Sequence, residues 1–376
     1  MHRSVYEQLG VTTYINAADS YTFIGGSRMP PEVIEAMRQA AEHFVDLDEL
    51  HDRIGEELAR LTRNEAAMVT SGAAAGLAIA VAACVAGDDP GRRRLFPHLD
   101  GMKSEVIVHR SQRNGFDAAV VRLGVSFVEI GSERGTDERE LEAAIRPQTA
   151  CILYFDSTDF SGSLPLETVI RVATRHGTKV VVDAAAQLPP VENLWRYTSL
   201  GADLALFSGG KTLCGPQGSG LIVGKKQWVK ACRCHAGPAA DAVGRPMKVS
   251  REEMVGLYAA VKRYISLDHQ AVRERHDRMV EKICRELTAL GYRAYRRYPG
   301  PTGQDYPLAM IDMRGADRRA AEIHQRMKTG NPAILVGLAR DGSDRWFINP
   351  LHLRDDELDR VLSKIKSFGP AAYRNV

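Results

Sequence analysis

Seven short apolar runs, near residues 66–70, 105–109, 126–130, 150–155, 179–183, 203–207 and 219–223, alternate with amphipathic stretches. This is the pattern of βαβ units: strands buried on both faces read as unbroken apolar runs, and the segments between them supply covering helices. It predicts an α/β fold with a mostly parallel seven-stranded sheet in a large domain. Sheets of this kind bind ligands at the C-terminal edges of their strands. With 376 residues, 44% of them hydrophobic, the chain is long enough for two domains. The expected division is an N-terminal arm over 1–30 that joins the small domain, the large domain over 31–255, and a small C-terminal α/β domain over 256–376. The arm reads as irregular up to a Gly25-Gly26 turn, and a helix entered through Pro30 and Pro31 follows. A long helical stretch runs from Arg251 to about Leu290, and apolar runs near 308–313, 333–338 and 345–348 lie beyond it.

Ser71, His109, Asp183 and Lys211 all fall at the predicted strand edges. In Phe207-Ser-Gly-Gly-Lys-Thr212 a lysine sits on a glycine-rich turn directly after an apolar run. A lysine so placed can form a Schiff base with the aldehyde of pyridoxal phosphate, with Ser208 near a phosphate oxygen. The alternative is a solvated surface lysine. Upstream, Lys179-Val-Val-Val-Asp183 ends a β-branched run in a carboxylate, the group that keeps a pyridine nitrogen protonated. An aspartate here also suits the N-cap of a following helix. After the run ending at Ser71, the small residues Gly72, Ala73 and Ala74 open a helix whose N-H groups suit a phosphate. Close packing of that helix on the sheet favours the same small residues. His109 ends another run, either as a ring able to stack on a cofactor or as a core histidine.

These elements, in this order, resemble the fold-type I pyridoxal phosphate enzymes, and the likeness covers nearly the whole chain. More narrowly, the chain resembles the branch containing selenocysteine synthase (seryl-tRNA selenium transferase) and D-glucosaminate-6-phosphate ammonia-lyase. The likeness rests on Ile24-Gly-Gly-Ser-Arg-Met-Pro-Pro-Glu-Val, His43-Phe-Val-Asp-Leu-Asp-Glu-Leu, Val69-Thr-Ser-Gly-Ala-Ala-Ala, Asp183-Ala-Ala-Ala-Gln-Leu-Pro-Pro, Phe207-Ser-Gly-Gly-Lys-Thr and Gly244-Arg-Pro-Met-Lys-Val. It implies pyridoxal 5'-phosphate as cofactor, with Lys211, Asp183 and His109 catalytic. Ser71, Gly72, Ala73, Ala74, Gln187 and Ser208 would join them in binding the cofactor, Gln187 at its ring hydroxyl. It further implies that the loop bearing Arg245 and Lys248 approaches an active site, often a neighbouring subunit's, so both are candidates for an anionic part of the substrate. A homodimer or larger homo-oligomer with shared active sites follows. Two cations on an exposed turn are the alternative.

The implied activity is a lyase eliminating water or ammonia from a polar, D-configured or sugar-derived amino acid. A racemase, epimerase or aminotransferase using the same residues is the alternative. A non-catalytic cofactor-binding protein ranks lower, and so does a selenium transferase, whose separate N-terminal tRNA-binding domain is not expected where the cofactor-domain pattern starts almost at residue 1. A net charge of +3 makes no sequence-wide electrostatic case for nucleic acid, which calls for a dense basic face. The longest apolar run, Ala73 to Ala86, is too short for a membrane span, and the start of the chain lacks a signal-peptide core. Six cysteines without a Cys-x-x-Cys pair suit reduced thiols in a cytoplasm. No metal is expected. Departures from the branch are Asp19 and Ser20, and the acidic stretch around Asp156 and Asp159, which either meet a substrate or cap the helix starting near Leu164. Arg92, Arg93 and Arg94 read as a solvated loop or an anion site.

Overall fold

The computed structural model describes residues 4–132 and 134–373, so the first three residues of the arm lie outside the described part. The chain divides into two compact units. One comprises residues 27–267 with 301–303, and the other holds the remaining arm and C-terminal residues.

The larger unit is built on a seven-stranded sheet. In spatial order its strands are Ala66–Thr70, Gly220–Gly224, Leu204–Ser208, Lys179–Asp183, Thr149–Phe155, Glu105–His109 and Ser126–Ile130. The Gly220–Gly224 strand runs antiparallel to both neighbours, and the other pairs are parallel. The central apolar runs became strands because each apolar residue has a core on its own side of the sheet, while the edge strand Ser126–Ile130 leaves Ser126 and Glu129 exposed. Val180 and Val182 pack into one cluster with helices Leu47–Leu61, Leu166–Arg175 and Arg251–Ser266. Val181 points the other way, into a cluster with helix Ala73–Ala86, whose residues from Ala75 onward are all buried. Side chains alternate across a strand, so a run apolar at every position requires cover on both faces.

The helical stretch after Arg251 is two helices, Arg251–Ser266 and His269–Ala289. Asp268 breaks it, its carboxylate accepting the Ala271 N-H at 2.9 Å as the N-cap of the second helix. The two compact units divide at this break, at Leu267 and Asp268, rather than at 255.

The smaller unit holds a five-stranded sheet in the order Tyr14–Ala17, Ala333–Leu338, Arg345–Ile348, Leu308–Asp312 and Arg293–Arg297. Its core gathers Ile283, Leu287, Ile311, Val336 and the fully buried Trp346. Two of these strands escape a sequence reading. Arg293–Arg297 is a mostly exposed edge strand with three arginines, and Tyr14–Ala17, inside the arm read as irregular, pairs in parallel with a strand more than 300 residues away. No helix among the described residues is long and apolar enough to cross a membrane.

Candidate active site

Asp183 closes its strand opposite Phe155 and Leu206, at the C-terminal edge of the parallel part of the sheet. Its Oδ1 accepts the Ala185 N-H at 2.9 Å. Burial pushes its carboxyl above the ordinary range, opposed by the Ala185 N-H and by the charge of Lys211. Asp183 caps no helix, since the next one, Asn193–Ser199, is preceded by Glu192 with no side-chain cap. A desolvated carboxylate without a full counter-charge is a ready seat for a cation.

The turn that presents Lys211 is held from three sides. Gly210 O accepts both the Ser27 N-H and the Ser27 hydroxyl at 3.0 Å, and Thr212 Oγ1 donates to Leu188 O at 2.8 Å. Gly209 N-H donates to Ser219 O at 2.8 Å. Both glycines are required by close approach. A Cβ at Gly209 would stand 2.1 Å from Ser219 Oγ, and one at Gly210 would stand 2.5 Å from Gln217 Cα. The second obstacle is backbone, so Gly210→Ala is expected to destabilise the fold by about 1–3 kcal/mol through overpacking. Urea unfolding checks this, and an unchanged midpoint would show that the turn yields. Ser27 lies in the Ile24-Gly-Gly-Ser-Arg segment that carries the resemblance, but its pairing with residue 210 leaves no local mark in the sequence.

Gly72, at φ 97°, stands as N-cap of helix Ala73–Ala86 and offers no side chain, so the first N-H groups of this 14-residue helix have no capping partner. Ser71, expected to add a hydroxyl to a phosphate, instead donates to Met247 O at 2.6 Å. The donors left at this edge are the helix N-H groups and Ser208, which ends the strand leading to the lysine turn. The same bond anchors the loop bearing Arg245 and Lys248 on its own chain's turn. Both cations are exposed, and their side chains make no hydrogen bond or ion pair among the described residues.

His109, expected either to stack on the cofactor or to sit in the core, is a core residue in this structure. Its ring is fully buried, set edge-on to Tyr154 at 5.9 Å between ring centres, and its Nε2 accepts the Leu164 N-H at 3.2 Å. Burial pushes its imidazole down to about 4, with Gln112 opposing. A neutral, enclosed ring has no free face, and its role is to hold the loop after strand Thr149–Phe155.

Gln187 is also committed. Its Nε2 donates to Asp156 O at 2.6 Å and to Thr302 O at 3.2 Å, which leaves Oε1 as the atom able to meet a ring hydroxyl. Asp156 does not cap the next helix, whose N-cap Pro165 has no side-chain bond. Its Oδ2 accepts the hydroxyl of the buried Tyr197 at 2.6 Å, and its N-H donates to Asp183 O at 3.0 Å. It thus braces the strand end that carries Asp183. The exposed Asp159 stays on the loop, its N-H donating to Ser157 Oγ at 3.1 Å. Arg93 and Arg94 both bind Asp241, and Arg93 also donates to Cys234 O, so two of the three arginines tie loops together. Arg92 faces Asp89 at 3.8 Å. In the smaller unit, Asp19 Oδ1 accepts the Ser20 N-H at 2.7 Å, and Ser20 Oγ meets His352 Nε2 at 2.6 Å.

The aminotransferase class-V family model matches residues 62–300. The chain belongs to this family. It is 38% identical over 271 residues to D-glucosaminate-6-phosphate ammonia lyase from Salmonella typhimurium, across 70% of this chain and 71% of that one. It is 31% identical to the 5'-C-glycyluridine monooxygenase-decarboxylase of a Streptomyces species, across 97% of this chain and 92% of the relative. The solved structure of D-glucosaminate-6-phosphate ammonia-lyase superposes with a TM-score of 0.84 at 29% identity, covering 98% of each chain.

The cofactor of this class-V family member is pyridoxal 5'-phosphate, and the site fits it. The uncapped helix after Gly72 and Ser208 suit the phosphate, the desolvated Asp183 suits a protonated pyridine nitrogen, and Lys211 lies close enough for its charge to act on that carboxyl.

Proposed function

We propose that this chain is a pyridoxal phosphate-dependent lyase that eliminates ammonia or water from a polar, sugar-derived amino acid. The observation that carries the reading is the likeness to the ammonia-lyase in both sequence and fold, at 38% identity and a TM-score of 0.84. Bound pyridoxal phosphate supplies an electron sink for charge developing at the substrate α-carbon. The chain's residues do the rest. Lys211 would hold the cofactor through its Nζ and, as a free amine, would take the substrate α-proton there as general base. Asp183 keeps a negative charge against the pyridine nitrogen. The helix N-terminus at Gly72, Ala73 and Ala74 and the Ser208 hydroxyl bind the phosphate. Arg245 and Lys248, exposed on the anchored loop, would meet an anionic part of the substrate, in this chain's site or a neighbouring subunit's, and a homodimer belongs to the same proposal.

The oxidative decarboxylation named for the Streptomyces relative is a second reading, favoured by the reach of that likeness over 97% of this chain. One assay separates the two. D- and L-amino acids, amino sugar acids with and without a phosphate, and 5'-C-glycyluridine are supplied to the holoenzyme while ammonia, 2-oxo acid, carbon dioxide and dissolved oxygen are followed. Ammonia and 2-oxo acid released in equal amounts without oxygen uptake is the expected result. Carbon dioxide release coupled to oxygen uptake establishes the second reading, and exchange of configuration or amino transfer alone removes both.

A further inference from the structure

Pro301, Thr302 and Gly303 pack with the larger unit, although the chain on either side of them belongs to the smaller one. This short excursion ends on Gln187. Thr302 O accepts from Gln187 Nε2 at 3.2 Å and from the Thr158 N-H at 3.2 Å. A Cβ at Gly303, whose φ is 104°, would stand 2.7 Å from Thr158 Cγ2, so the tripeptide lies tight against the loop after Asp156. The other amide hydrogen of Gln187 goes to Asp156 O at 2.6 Å, and the main-chain carbonyl of Gln187 accepts from Asn193 Nδ2 at 2.6 Å. Both amide partners are main-chain oxygens, which only accept, so the NH2 end must face them and both of its hydrogens are spent. Turning the amide over would set Oε1 against two carbonyl oxygens. Gln187 is 5% exposed, and its Oε1 makes no hydrogen bond among the described residues while still reaching solvent-accessible space.

We propose that Pro301-Thr302-Gly303 is a strap that positions Gln187 as a pure hydrogen-bond acceptor toward the cofactor's ring hydroxyl. The inference rests on the cofactor and on Gln187 meeting that hydroxyl, and is indifferent to which reaction the cofactor serves. Asp156 O alone would hold one amide hydrogen and leave the other unpaired on a buried group, a cost that Thr302 O removes. An acceptor opposite a hydroxyl favours the form that keeps its proton, whereas a donor favours the form that has lost it. In the resting cofactor one proton is shared between this hydroxyl and the Lys211 nitrogen, and the two placements absorb in the near ultraviolet and in the visible respectively. The strap therefore biases that proton toward oxygen. Because it acts through a main-chain oxygen, its effect depends on the path of the backbone at Gly303 and not on a side chain.

The test uses the full-length chain without and with pyridoxal phosphate. In cofactor-free protein labelled with ¹⁵N-glutamine, the Gln187 side-chain NH2 signals, assigned as those missing from Gln187→Leu, should exchange slowly with solvent. Gly303→Ala, strained at that φ and crowded against Thr158, should lift Thr302 O away and speed this exchange about 5-fold, the weight of one hydrogen bond. In the holoenzyme, wild type should show the near-ultraviolet band beside the visible one at neutral pH. Gly303→Ala and Gln187→Leu should each shift the ratio of the two bands toward the visible by about 5-fold. Both should do so with a wild-type circular dichroism spectrum and equal bound cofactor, which separates a moved proton from a damaged fold, and Gln187→Leu makes the spectral test without touching the backbone of the strap. Fast exchange already in wild type, or a band ratio that Gln187→Leu leaves unmoved while cofactor stays bound, would overturn the proposal and leave the cofactor assignment standing. A wild-type protein that binds no pyridoxal phosphate would instead remove that assignment, and the strap's target with it.

Discussion

Lys211→Ala is expected to yield a folded, colourless protein whose turnover is lowered at least about 10³-fold, the scale of a lost general base and covalent anchor. The side chain is half-buried, and the bonds that hold its turn run through Ser27, Gly210, Thr212 and Leu188. None needs the ammonium group, so the loss should fall on chemistry rather than on folding. Two readouts distinguish a catalytic lysine from a structural one. The visible absorbance of the cofactor bound to wild type should vanish in the variant while phosphate-dependent retention of the cofactor persists at the Gly72 helix. Added small primary amines should restore part of the turnover, because they supply the missing nitrogen without repairing any packing. A variant that keeps colour and turnover would show that another group does this work and would remove the central residue of the proposed mechanism.

What the sequence made legible follows from how far apart the interacting residues lie. Six of the seven strands of the large sheet were readable because each is a short apolar run buried on both sides, a property of five to seven adjacent residues, and the seventh, Ser126–Ile130, is a partly exposed edge strand that still carries Phe127, Val128 and Ile130. Asp183 stood out for the same reason, as a polar residue ending such a run, and Lys211 as a lysine on the glycine turn just after one. The bonds that prepare the site are long-range and left no trace. Ser27 meets Gly210 across 183 positions, and Ser71 meets Met247 across 176. His109 stayed open between a stacking ring and a core histidine because strand position says where a side chain starts and not what covers it. In the fold the ring is fully buried, with Tyr154 edge-on to it and the Leu164 N-H on its Nε2. The Arg293–Arg297 edge strand was missed because its arginines break the apolar pattern, although charge on an edge is how sheets avoid pairing with other chains.

Asp183→Asn is expected to separate the stability of the site from its chemistry. Burial raises the Asp183 carboxyl above its ordinary range in the cofactor-free protein, so the folded chain holds a proton there that the unfolded chain releases. A group shifted upward stabilises the fold below its ordinary value and loses that contribution as pH rises through its raised value. Wherever the pH is high enough to ionise that carboxyl, the cofactor-free protein bears the cost of a desolvated charge, only partly relieved by the Ala185 N-H and Lys211. Asparagine keeps the acceptor for Ala185 and removes the charge. The cofactor-free variant should accordingly be more stable than wild type in that range, by about 1 kcal/mol, with the difference shrinking toward acid pH. With cofactor present the order reverses, because wild type gains a pairing between carboxylate and pyridine nitrogen that the variant lacks, and ligand stabilisation follows affinity. Turnover should fall about 10²- to 10³-fold, the usual cost of removing one preorganised group that stabilises developing charge. Thermal unfolding of cofactor-free and cofactor-bound protein between pH 5 and 8, beside turnover, reads all three effects. Equal cofactor-induced stabilisation in wild type and variant, with turnover near wild type, would mean that the pyridine nitrogen does not face Asp183.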